Sequence, residues 1–162
     1  MSDYSFVTIW EFDAPVEAVW EPIHDPDTWP EWWRGVVRNV EIKAGDADGI
    51  GAVRRSTWKS KLPYTLEFDS EVVRVERYKL IDARAFGELE GTGVWTFESV
   101  TSDKTRVRYD WNVKTTKPWM NLIAPIARPF FKWNHDVIMR WGEEGLSKRL
   151  AAAAAAKPGS DA

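Results

Sequence analysis

The chain has 162 residues with 22 basic and 25 acidic side chains, so neither sign dominates and the electrostatic footprint of a nucleic-acid binder is missing. It contains no cysteine, which excludes disulfides, thiolate nucleophiles and cysteine-ligated metals. A hydrophobic fraction of 44% fits one folded domain, and no apolar run approaches the ~20 residues needed to span a bilayer.

The opening MSDYSFVTIW lacks a basic segment followed by an apolar one, so a cytoplasmic location is expected. Residues 5–12, SFVTIWEF, are β-branched and aromatic and read as a strand. In DAPVEAVWEPI, Asp13 is placed to cap, Pro15 suits a first helical turn, and Val16, Val19, Trp20 and Ile23 recur at helical spacing. A helix over about 15–23 follows. Next, DPDTWPEWWRGV packs Trp29, Trp32 and Trp33 into five positions. Thr28 followed by Glu31 forms a capping-box pattern, which predicts a second short helix over about 28–33. On such a helix the three indoles share one face. Three uses of that patch stay open: packing onto a neighbouring element, gating a cavity, or docking a partner protein.

From Val36 to Thr115 the pattern turns to strands. Tyr64, Leu66 and Phe68 share one phase, as do Trp95 and Phe97, and Val107, Tyr109, Trp111 and Val113. Alternation with a polar opposite face predicts an antiparallel sheet solvated on one side. The phase slips at Val72-Val73, the mark of a bulge. Counting SFVTIWEF, seven strands are expected.

Beyond Lys114 the helical period returns, with Pro125 and Pro129 as interruptions. One or two turns over 118–127 and then one long helix over about 129–154 are expected, with residues 157–162 as a flexible tail after a single domain over 1–156. Projected at about 100° per residue, Phe130, Phe131, Trp133, Val137, Ile138, Trp141 and Leu146 form a wide apolar arc. Asn134 and His135 fall inside it. A buried polar group without a partner costs about 1–3 kcal/mol, so both must meet a protein group, water or a ligand.

The order strand, two short helices, six strands, long helix is an α+β helix-grip arrangement, a seven-stranded antiparallel sheet wrapped around the C-terminal helix. Three stretches carry a resemblance: FDAPVEAVWEPIHDPDTWPEWW, AFGELEGTGVWTFES and PFFKWNHDVIMRWGEEGLSKRL. Together they resemble the START-like (SRPBCC) superfamily, specifically its polyketide cyclase/dehydrase and lipid-transport branch. The resemblance spans about 6–150 and implies an apolar cavity between the concave sheet and the last helix. It implies no universal catalytic set.

The leading expectation is therefore binding, with transport or sequestration as its use, of a small hydrophobic lipid- or polyketide-like molecule. The expected contacts are Trp33, Tyr64, Leu66, Phe68, Trp95, Phe97, Tyr109, Trp111, Phe131, Asn134, His135 and Ile138. The alternative is a polyketide cyclase/dehydratase-type enzyme with His135 as acid/base, since histidine titrates near neutrality. A third is an interaction module using Trp29, Trp32 and Trp33. Arg54 and Arg55 stand in opposite phases on one strand. The inward one either reaches back to water or favours an acidic group on the ligand. No metal is expected, because His24 and His135 are far apart. No cofactor is expected either, for want of a phosphate-cradling glycine loop. Oligomeric state is left open.

Overall fold

The computed structural model describes residues 3–156. The expected tail over 157–162 lies outside the described residues. Seven strands form one antiparallel sheet: β1 (Asp3–Phe12), β2 (Val36–Lys43), β3 (Val53–Lys59), β4 (Thr65–Glu76), β5 (Leu80–Gly87), β6 (Leu89–Thr101) and β7 (Lys104–Thr115). The spatial order is β1-β7-β6-β5-β4-β3-β2, so the chain crosses the sheet once, between β1 and β2, and meanders back. That crossover carries α1 (Val16–His24), a 3-10 turn (Pro26–Thr28) and α2 (Trp29–Trp32). The final helix, α3 (Pro118–Ala156), lies against the sheet. The helix-grip expectation holds, and the register of β4 on β5 shifts between Val72 and Arg74, where the phase slip was read.

Three local expectations are corrected. Neither Asp13 nor Thr28 caps a helix through its side chain: Pro15 occupies the N-cap of α1, and α2 begins without a side-chain cap bond. Thr28 instead donates its hydroxyl to the carbonyls of Pro22 and Asp25 and accepts from Trp32 Nε1 at 3.1 Å, which ties α2 to the end of α1. Asp25 takes the capping role, its carboxylate accepting from the Asp27 amide at 3.2 Å. Finally, α3 is one helix of 39 residues and not two pieces. Pro125 and Pro129 both fall on its exposed side, where a missing amide donor costs no buried hydrogen bond.

The main core packs Trp10, Phe12, Val19, Trp20, Ile23, Trp32, Trp33, Trp95, Phe97 and Leu146 around the α1–α2 crossover. A second cluster, around Tyr4, Leu89, Val113, Met120 and Phe131, closes the other end of the sheet against the first half of α3. Among the described residues no helix is long and apolar enough to cross a membrane.

Candidate functional site

Between the two clusters the sheet and α3 do not meet fully. A hollow of about 120 Å³ remains, walled by β1, β3, β4, β6, β7, α2 and α3. The inward phase of β4 supplies Tyr64 just before the strand, then Leu66 and Phe68. Trp95 on β6 and Tyr109 and Trp111 on β7 form a stacked aromatic wall, with Trp95 and Tyr109 centroids 4.0 Å apart. From α3 come Phe131, Asn134, His135 and Ile138, and Trp33 closes the α2 side. Period-two alternation thus delivers five strands' aromatic rings to one side, and helical spacing delivers the other.

Phe97 is the exception among the expected contacts. It is buried, but its ring packs 4.9 Å from Trp20 under α1 and does not line the hollow. It sits two residues beyond Trp95 in the same phase, where the crossover helix already covers the sheet.

The polar groups in this wall are few. Ser60 Oγ donates to Asn134 Oδ1 and accepts from the Leu62 amide at 3.2 Å, so Asn134 pins the β3–β4 connection to α3. His135 lies on the Phe6 ring, centroids 4.6 Å apart. Its Nδ1 stands 3.6 Å from an Asp136 carboxylate oxygen, beyond hydrogen-bond reach, and neither ring nitrogen has a partner among the described residues. Burial pulls its pKa down to about 4, against the opposing pull of Asp136, so the ring is neutral at pH 7. The Tyr4 hydroxyl and Trp58 Nε1, also in the wall, are likewise buried without a protein partner. Burial raises the Tyr4, Tyr64 and Tyr109 hydroxyls above the ordinary phenol range, which keeps them as neutral donors.

The three tryptophans pack together, and Trp29 and Trp33 also line the hollow. Trp33 is 2% exposed and is the hub of a cluster, with Trp10, Trp29, Trp32 and Trp58 rings 5.0–5.3 Å away. Trp32 is buried as well, and Trp29 is partly buried. A protein-docking role for this patch is therefore overturned, because the rings it would present are already covered.

Arg54, and not Arg55, points inward. It is 7% exposed, and the expectation that it reaches back to water is corrected. Its guanidinium donates to Asn39 at 2.9 Å, to Glu41 at 3.4 Å and to Asp27. It lines a second, more polar hollow of about 300 Å³ beneath α1, separated from the first by Trp29 and Trp95, which belong to both walls. Two carboxylates already neutralise it, so it is not left to seek an acidic ligand. Arg55 points outward and pairs with Asp69 at 2.8 Å. A wider depression, about 740 Å³, is an open one around outward-facing Ser5, Arg84, Thr92 and Asn112, away from the space between sheet and helix. No three His, Asp or Glu side chains converge as metal ligands among the described residues.

Residues 5–156 match the model of the family described as polyketide cyclase / dehydrase and lipid transport. The chain belongs to this family. Among solved structures, the ZhuI aromatase/cyclase from Streptomyces sp. R1128 is similar over 96% of this chain and 98% of its own, with a TM-score of 0.79 at 12% identity. A START superfamily protein from Mycobacterium smegmatis covers 92% and 98%, with a TM-score of 0.75 at 12% identity. Norcoclaurine synthase from Thalictrum flavum, in complex with dopamine and hydroxybenzaldehyde, covers 97% and 90%, with a TM-score of 0.61 at 13% identity. At these identities the likeness is one of fold. No curated protein matches the sequence.

For a member of the polyketide cyclase/dehydrase and lipid-transport family, several wall residues carry no expectation from sequence: Tyr4, Phe6, Trp58, Met120 and Met139. Tyr4 and Phe6 carry a readable signal, since they alternate with Ser5 and Val7 in phase with buried Trp10. Met120 and Met139 carry none.

Proposed function

We propose that the protein binds a small, mostly apolar, ring-bearing molecule in the hollow between the sheet and α3. The observation that carries this reading is the wall itself, aromatic on most sides yet holding four buried polar atoms without protein partners: Tyr4 Oη, Trp58 Nε1 and both nitrogens of His135. Each such atom costs about 1–3 kcal/mol unless a guest or an ordered water supplies the complementary group. Volume limits the guest. At about 120 Å³ the hollow is close to the roughly 150 Å³ that accommodates a benzene ring and well below the 300–1,000 Å³ of larger ligand sites. A single-ring phenol or a comparable fragment fits, and a polyketide chain requires the walls to open. The norcoclaurine synthase neighbour, crystallised with dopamine and hydroxybenzaldehyde, supports single-ring guests for this fold. In this reading Asn134, His135 and Tyr109 orient the guest, and apolar burial at about 25 cal/mol per Å² supplies the affinity.

An acid/base role for His135 is the weaker reading. A ring held neutral with a pKa of about 4 is a poor base near neutrality, and no carboxylate lies within hydrogen-bond distance to orient it. The test is a titration of the purified protein with phenol, followed by NMR, after solvent extraction and mass spectrometry of whatever co-purifies. Shifts confined to wall residues, abolished by Leu66→Trp, are expected. Absence of both an extracted molecule and phenol-dependent shifts would overturn the proposal.

A further inference from the structure

The half of α3 that closes the hollow on its inner side exposes large apolar side chains on its outer side. Trp119, Leu122, Ile123, Ile126, Phe130 and Trp133 are exposed, Leu122 by 83%, Ile126 by 79% and Phe130 by 61%. Their spacing keeps them on one stripe, which runs about 21 Å along the helix at 1.5 Å per residue. Inward residues of the same segment are different ones: Met120, Ala124, Ala127 and Phe131. The stripe is therefore not the core face left partly uncovered but a second apolar face.

What borders the stripe sets its partner. From Lys117 to His135 the sequence has no acid, and at about 100° per residue its cations Lys117, Arg128 and Lys132 fall on the side of α3 away from the stripe, Arg128 over the Tyr4 ring. The β3–β4 connection runs alongside, held to α3 by the Ser60–Asn134 bond and by the Tyr64–Trp119 ring contact at 5.6 Å. It brings exposed Lys59 and Lys61, which enter no ion pair among the described residues. These two lysines flank the stripe on the side of the β3–β4 connection. The stripe's edge is thus cationic in a chain whose net charge is −3. An anionic lipid surface meets both the apolar stripe and its lysine edge, accepting the aliphatic centre and the two terminal indoles at its interface while attracting Lys59 and Lys61.

We propose that α3 between Trp119 and Trp133 docks the protein in the plane of an anionic lipid surface. Docking does not depend on a guest in the hollow, so it stands or falls apart from the ligand reading. The test is co-sedimentation of the full chain with vesicles of phosphatidylcholine, with and without phosphatidylglycerol, at low and high salt. Sedimentation is expected with the anionic vesicles, weakened by salt. It is expected to fall roughly tenfold or more in the variant Leu122→Ser, Ile126→Ser, Phe130→Ser. These side chains stand in water, so the variant keeps its circular dichroism and its phenol-induced shifts. Lys59→Glu with Lys61→Glu weakens sedimentation on anionic vesicles alone. The proposal is overturned if the parent stays in the supernatant, or if the serine variant sediments equally well. It is also overturned if the parent forms dimers without vesicles that the serine variant loses, since a second copy then covers the face.

Discussion

The indole nitrogen of Trp33 donates to the backbone carbonyl of Ile138 at 2.8 Å, which locks the end of α2 onto α3 beside the hollow. Two glycines of α3 make the approach feasible. A Cβ at Gly142 would lie 2.7 Å from the Trp10 and Trp33 rings, and one at Gly145 would lie 1.7 Å from the Trp32 carbonyl oxygen. Alanine in a helix normally gains about 1 kcal/mol over glycine. Here overpacking against rings outweighs that gain, and Gly142→Ala is expected to cost about 1–3 kcal/mol net. Gly145→Ala is expected to cost more, because it meets backbone that cannot rotate away. Chemical denaturation of the two variants checks both the sign and the order.

His135 makes stability depend on pH. Its ordinary pKa of 6.5 applies to the unfolded chain, whereas in the fold burial lowers it to about 4. Between those values the unfolded state holds a proton that the native state lacks. The stability that comes from a neutral ring is complete above about 6.5 and is lost as pH falls from there toward about 4. The full window is worth on the order of 3 kcal/mol at ~1.4 kcal/mol per pKa unit. His135→Phe, which keeps a ring on Phe6, is expected to remove this component. The gap in unfolding free energy between the variant and the parent should widen steadily as the buffer is acidified through that window. A gap independent of pH would show that the ring titrates normally.

Much of the fold is legible because strands in a half-solvated sheet alternate, and Tyr64, Leu66 and Phe68 report their own orientation. The bulge at Val73 shows up as a lost phase. The site is legible to the extent that it is built on those same phases. The sequence of α3 reads less well. Phe130 and Trp133 are apolar and fall on the expected arc, yet they face water, while the inward face is centred on Phe131, Ile138 and Gly142. Hydrophobicity records what a side chain avoids, not which neighbour covers it. The glycines against Trp32 and Trp33 are silent for a related reason: a close approach between helices leaves no local pattern in either one.

Arg54 offers an asymmetric test. Its side chain is 9% exposed, whereas those of Asp27 and Glu41 are 72% and 52% exposed. Replacing the arginine with methionine returns two carboxylates to water and keeps the packing of the stem, so a loss of about 1 kcal/mol or less is expected. Replacing Asp27 and Glu41 together with alanine leaves a buried guanidinium bonded only to Asn39, and a loss of about 3 kcal/mol is expected. Urea unfolding of the two variants should place the carboxylate variant well below the methionine variant.

Asn134 faces the hollow while its oxygen is occupied by the Ser60 hydroxyl, so one residue serves both the wall and the β3–β4 connection. Ser60 in turn accepts from the Leu62 amide at 3.2 Å. Removing the hydroxyl in Ser60→Ala frees the Asn134 oxygen toward the hollow and the Leu62 amide toward water at once. Faster hydrogen exchange is expected over 60–64, by roughly tenfold for a bond worth about 1.4 kcal/mol. The rest of the sheet should stay unchanged. Asn134→Ala should speed the same amides and in addition weaken phenol binding, whereas Ser60→Ala should leave phenol binding intact or strengthen it. Equal loss of binding in both variants would mean that the connection, and not the amide of Asn134, holds the guest.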